Sequence, residues 1–169
     1  MSATVSTPTQ QRWLTRLLSG QPHQVIEVHD RPYLLRWFLV PPNRFCNLYW
    51  HRFIGSDDPT PHCHPWNFVS IILSGAYFEE TPGAQIRRRR AGHIAFRRAT
   101  QIHRVTLPTG EGGTEKPCTS LVITGPWLRP WGFWCDGERF IPWQDFGPGG
   151  CGDQTPHEIT AQKGPGNDA

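Results

Sequence analysis

The chain has 169 residues, enough for a single domain with a real hydrophobic core. Charged residues make up only 18% of it, and a net charge of +3 is too small to indicate nucleic-acid binding. Because no stretch approaches 18 apolar residues and the start is polar, we expect neither a membrane span nor a secretion signal.

The number and spacing of the cysteines indicate in which cellular compartment the protein is found. The five cysteines are odd in number and share no CxxC spacing. This favours reduced thiols, and together with the polar start it predicts a cytoplasmic protein.

A short helix is predicted near the start of the chain. Trp13, Leu14, Leu17 and Leu18 recur at helical spacing, and Gly20 follows as a stop signal. We therefore expect an amphipathic helix over about 9–18, docked on the main body, and treat 1–22 as this helix with a loose leader.

Short apolar or alternating segments follow, separated by turns rich in Gly, Pro, Asp and Asn. The predicted strands cover about 24–29, 32–40, 44–54, 67–74, 76–80, 84–90, 93–98, 101–107, 118–125, 131–135 and 138–143. Strands this short and this regularly spaced predict an all-β domain over 23–146, an antiparallel sandwich or jelly roll. The Gly- and Pro-rich end, 147–169, is predicted to be disordered.

Three histidines form the most informative pattern in the chain. His62 and His64 stand at i and i+2 after a Pro-broken acidic turn, so on extended backbone their rings project to the same side. His103 follows at the end of another predicted strand. If a neighbouring strand brings His103 beside the pair, three imidazoles can hold one metal ion and leave coordination positions open.

These residues resemble the two motifs of the cupin superfamily, the RmlC-like jelly rolls. The stretch 55–75 has the order glycine, His-x-His, glycine of the first motif, and 92–103 runs from a glycine to a histidine like the second. Carried over residue by residue, the resemblance makes His62, His64 and His103 the metal ligands. It also implies a jelly-roll barrel and a homodimer paired through edge strands.

One departure from the cupin pattern narrows the implied chemistry. Where the family usually has a glutamate ligand, positions 67–69 offer Asn, Phe and Val. The chain therefore resembles the minority of cupins with a three-histidine site, such as the thiol dioxygenases that use non-haem iron. Neutral ligands would leave a divalent ion its full charge, which favours an anionic substrate. Glu79 or Glu80 joining as a fourth ligand is the alternative.

Four further residues are candidates for substrate binding. Alternation places Arg97 on the side of His103, where its guanidinium could hold a carboxylate, although a surface ion pair is an equal alternative. Tyr77 could donate a hydrogen bond to a ligand, and Trp66 could stack on one or simply pack. Ser70 lies in the apolar run 68–73, which predicts a strand buried on both faces. No catalytic residue can be assigned.

The expected function is that of a metal-dependent oxidoreductase. Three imidazoles suit Fe(II), Zn(II), Cu(II), Ni(II) or Mn(II), and affinity alone does not choose among them. The resemblance favours Fe(II) and a dioxygenase that combines O2 with a small anionic molecule. The alternatives are a non-catalytic metal- or ligand-binding cupin and a zinc-dependent hydrolase or isomerase.

Overall fold

A computed structural model describes residues 10–28, 30–83, 85–147 and 150–151. Within these ranges the chain forms one α-helix, α1 (Gln10–Leu18), and eleven strands. The strands are β1 (Gln24–Val28), β2 (Arg31–Phe38), β3 (Leu48–Phe53), β4 (Phe68–Ser74), β5 (Ala76–Thr81), β6 (Gln85–Arg90), β7 (Ile94–Arg97), β8 (Arg104–Thr106), β9 (Cys118–Thr124), β10 (Gly132–Cys135) and β11 (Arg139–Pro142). The prediction of an all-β fold with a short N-terminal helix is confirmed.

The domain limits 1–22, 23–146 and 147–169 stay predictions. Most of the leader and nearly all of the predicted disordered tail lie outside the described residues.

The strands form two antiparallel sheets and a hairpin. One sheet has the order β1-β2-β3-β9-β4-β7, the other has β6-β5-β8, and β10 pairs with β11. Isolated bridges join His62 to His103 and to Phe133, so the His62 segment lies between the smaller sheet and the hairpin. From β4 to β9 the chain crosses back and forth between the two sheets, which is typical of the double-stranded β-helix, or jelly roll.

The core has two clusters, one between the two sheets and one on the inner face of the six-stranded sheet. The first cluster consists of Ile72, Tyr77, Val105, Leu107 and Cys118, and the second consists of Phe38, Tyr49, Phe68 and Val122. The helix docks on the second cluster through Trp13, whose indole Nε1 also donates a hydrogen bond to the carbonyl oxygen of Phe38 at 2.8 Å.

Strand β4 differs from its prediction. Phe68, Ser70 and Ile72 face the core and are buried, but Leu73 on the opposite face is 41% exposed. The prediction of a strand buried on both faces is therefore wrong for the described part of the chain, in which no second layer covers the outside of the six-stranded sheet.

The cysteine prediction is wrong for one pair. Cys135 at the end of β10 forms a disulfide with Cys151, whereas Cys46, Cys63 and Cys118 are free. Because persistent disulfides are typical of oxidising compartments, the cysteines no longer support a cytoplasmic location. Among the described residues, no helix has the length and apolar character that a bilayer crossing would need.

Candidate metal centre

The three predicted histidines come together at the edge of the smaller sheet. His62 and His103 lie directly opposite each other, and each backbone N–H donates to the other residue's carbonyl at 2.9 Å. One ring nitrogen from each of His62, His64 and His103 lies within 4.8 Å of the others. The Nε2 atoms of His64 and His103 are 2.8 Å apart.

This arrangement fits a metal ion. Nitrogens bound to one ion at about 2.1 Å stand roughly 3 Å apart, close to the 2.8 Å between the Nε2 atoms of His64 and His103. A ligating imidazole must also be unprotonated on the nitrogen that binds. Burial, reinforced by His62 and His103, puts the pKa of His64 well below its usual value, and burial likewise lowers the pKa of His103. Both rings are therefore neutral and available as ligands at neutral pH.

Glu79 supports His103 from the side away from the cluster. Its Oε1 lies 3.0 Å from His103 Nδ1, so that nitrogen donates to the carboxylate and leaves Nε2 for a metal. Burial alone would raise the pKa of Glu79, but hydrogen bonds from His103 and Arg97 lower it to about 2. A carboxylate behind a ligating histidine fixes the ring orientation and raises its basicity.

Asp57 lies beside His62 as Glu79 lies beside His103. Its Oδ2 lies 3.0 Å from His62 Nδ1, an ion-pair distance. Burial lowers the pKa of His62, but Asp57 outweighs burial and the net pKa is raised. Asp57 is not among the site residues that the sequence predicts. Its signal was an acidic residue in the turn directly before the His-x-His pair.

Arg97 lies near the cluster, as alternation predicts, but its role has to be corrected. Its guanidinium pairs with both carboxylate oxygens of Glu79, and its side chain is 5% exposed. With its donors so engaged and little solvent access, it holds Glu79 in place and is not open to clamp a substrate. Glu79 itself stands behind His103 and not in the place of a fourth ligand.

The remaining candidates lie inside the barrel or on its wall. Tyr77 is buried in hydrogen-bond contact with Ser70, and burial together with Glu79 raises the pKa of its phenol to about 12. Trp66 packs between Tyr49 and Trp127, with ring centroids 6.2 and 6.5 Å away. These contacts match the packing alternative for Trp66.

Glu80 faces the other side of β5. Its Oε2 lies 3.4 Å from Arg104 Nη1, and its Oε1 lies 3.4 Å from the Thr106 hydroxyl. Glu80 is thus engaged away from the histidine cluster, and this placement speaks against the alternative of Glu80 as a fourth ligand.

Comparison with known proteins found distant similarity to solved structures. No protein-family model and no curated protein matches the chain. Among solved structures, the polyketide cyclase RemF from Streptomyces resistomycificus is 16% identical, with a TM-score of 0.49, over 59% of this chain and 69% of RemF. The DMSP lyase DddQ from Ruegeria pomeroyi DSS-3 is also 16% identical, with a TM-score of 0.48, over 62% of this chain.

The aligned part spans about half of DddQ, 52% of its length. KdgF from Halomonas sp. is 17% identical, with a TM-score of 0.46, over 63% of this chain and 90% of KdgF. At such identities the activities of these proteins are not evidence for the activity of this chain. The strand order and the three-histidine cluster described above fit the cupin superfamily.

Proposed function

We propose that the chain binds one divalent metal ion, Fe(II) in the first place, through His62, His64 and His103, and acts as a dioxygenase on a small anionic molecule. The observation that carries this proposal is the convergence of three imidazole nitrogens with no carboxylate among them. Bound there, Fe(II) would supply redox chemistry with O2, and its charge, which none of the three direct ligands neutralises, would attract an anionic group.

The protein's own residues orient and shield this site. Glu79 and Asp57 hold two of the rings from behind, and Arg97 holds Glu79. The ring of Phe68 packs 4.7 Å from that of His64 and helps to exclude water from the cluster. Preorganised ligands in a dry surrounding are what the protein contributes to metal chemistry of this kind.

The first prediction concerns the metal and the reaction. We expect protein purified without chelator to carry iron, and the iron-loaded protein to consume O2 with at least one member of a panel of thiols and carboxylic acids. Metal analysis by mass spectrometry and an oxygen electrode provide the two measurements. Iron-loaded His64→Ala supplies the background rate.

The outcomes separate the alternatives. Zinc in the purified protein, with no O2 consumption by the iron-loaded form, would contradict the dioxygenase and favour a zinc-dependent hydrolase or isomerase. Bound metal without turnover of any substrate would favour a non-catalytic binding protein. If the purified protein carries nickel or manganese, that ion takes the place of iron in the proposal.

A second part of the proposal concerns a homodimer. Two rows of apolar side chains cross the outside of the six-stranded sheet, one strand beside the next. The first row is Trp37, Trp50, Leu121, Ile71 and Ile94, and the second is Leu48, Ile123, Val69 and Phe96. We call these nine residues the outer apolar face. Ile94 is 67% and Phe96 58% exposed, unusual for a face that meets only water.

A second copy of the chain is the occupant that we propose for this face. Residues 1–9 and 152–169, outside the described ranges, contain only Met1, Val5 and Ile159 as large apolar residues and offer little to cover it. None of the nine residues is charged, so the face itself brings no like charges together when two copies pair about a two-fold axis. This favours the sheet face over the edge strands as the contact.

The second prediction tests this contact with two matched substitutions. Ile94→Lys places a charge in the outer apolar face, whereas Ile86→Lys does so at an isoleucine 63% exposed on the other sheet. At about 100 µM we expect the wild type and Ile86→Lys to sediment as dimers and Ile94→Lys as a monomer, because a desolvated charge opposes pairing. A monomeric wild type, or a dimeric Ile94→Lys, would contradict the proposal.

A further inference from the structure

The four-arginine strand β6 borders a cavity that the metal centre does not use. The cavity has a volume of about 420 Å³ and lies between the β5–β6 hairpin and the segment 100–102. This volume is within the usual range for small-molecule sites. Because side chains alternate along a strand, Arg87 and Arg89 line the cavity, while Arg88 and Arg90 point to the other face.

Donors outnumber acceptors along this lining. The two guanidinium groups are joined by the side chains of Gln85 and Gln101 and by the hydroxyls of Thr81 and Thr100. Among the described lining residues the one acid is Glu79, whose oxygens already accept from Arg97, Arg89 and His103. The cavity therefore has an excess of positive charge and hydrogen-bond donors.

We infer that this cavity is a binding site for a small oxyanion, a carboxylate or a phosphate. Guanidinium groups suit such ligands because their paired N–H donors match two oxygens of one anion. Arg89 is held in place, since its Nε donates to Glu79 Oε2 at 3.0 Å, and Arg87 is the freer of the two, with Nη2 3.4 Å from Gln85 Oε1. The anion meets Arg87 first and the terminal nitrogens of Arg89 behind it.

This site is separate from the metal centre. Glu79 lies between the cavity and His103 and contacts both, so an anion in the cavity does not reach the histidine cluster. The site consequently exists whether or not the metal proposal holds, and it can be examined in metal-free protein.

The test is calorimetric titration of metal-free protein with inorganic phosphate and, separately, with malonate, against sodium chloride at equal ionic strength. The two titrations show whether phosphate or carboxylate is preferred. Arg87→Gln and Arg88→Gln are the matched variants, because they change the net charge equally on the two faces of one strand. We expect saturable binding by wild type, binding about tenfold weaker in Arg87→Gln, and wild-type affinity in Arg88→Gln.

Absence of binding by either anion would overturn the inference. Equal weakening in both variants would also overturn it, because binding would then reflect diffuse surface charge. Binding that requires added metal would assign the anion to the metal centre instead of the cavity.

Discussion

Replacing His103 by alanine is expected to abolish stoichiometric metal retention. The substitution removes one of three nitrogens and also the link through which Glu79 acts on the cluster. The loss of affinity should exceed the roughly 10–100-fold that removal of an outer-shell partner costs. Metal content after dialysis, followed by competition with a chromophoric chelator, measures the effect.

His93→Ala is the matched control for this experiment. His93 follows β6 in a turn, where its Nδ1 lies 3.4 Å from the backbone nitrogen of Arg90, and it does not belong to the histidine cluster. We expect this variant to retain metal like the wild type. Unchanged occupancy in His103→Ala would remove His103 from the site, and equal loss in both variants would point to a general structural defect.

The secondary structure could be predicted closely because turn chemistry marks both ends of each strand. Gly75 separates β4 from β5 with φ of 73°, and a Cβ atom there would clash with the backbone carbonyl oxygen of Pro117. The order of strands could not be predicted in the same way. Strand β9 inserts between β3 and β4, far earlier in the chain, and no local pattern encodes that pairing.

That His62 and His64 point to the same side follows from alternation alone. The side chains that contact the histidine cluster could not be predicted in this way. The sequence predicts Glu79 as a possible ligand and Arg97 as a possible substrate clamp, whereas the fold pairs these two side chains with each other. This pairing depends on how β5 faces β7 across the barrel, which a single sequence does not reveal. The link between Cys135 and Cys151 is hidden for a similar reason, since spacing does not determine connectivity.

Glu79→Gln is expected to lower both stability and metal affinity. The carboxylate is 1% exposed, and its removal leaves the Arg97 guanidinium, 5% exposed, as a buried charge without its partner. Breaking a buried pair in this way costs about 3–5 kcal/mol of unfolding free energy. For a chain of this size that lowers Tm by roughly 6–20 °C. Metal affinity should fall by about 10–100-fold, because His103 Nδ1 loses its carboxylate.

Two controls separate the structural from the positioning role of Glu79. Glu80→Gln alters the neighbouring residue on the opposite face, where the carboxylate is 34% exposed and pairs with Arg104, so its cost should stay within about 1 kcal/mol. The double variant Glu79→Leu with Arg97→Met leaves no unpaired Arg97 charge and should recover much of the lost stability. It should not recover metal affinity, since His103 still lacks its acceptor. Wild-type metal affinity in the double variant would limit Glu79 to a structural role and leave the orientation of His103 to the backbone alone.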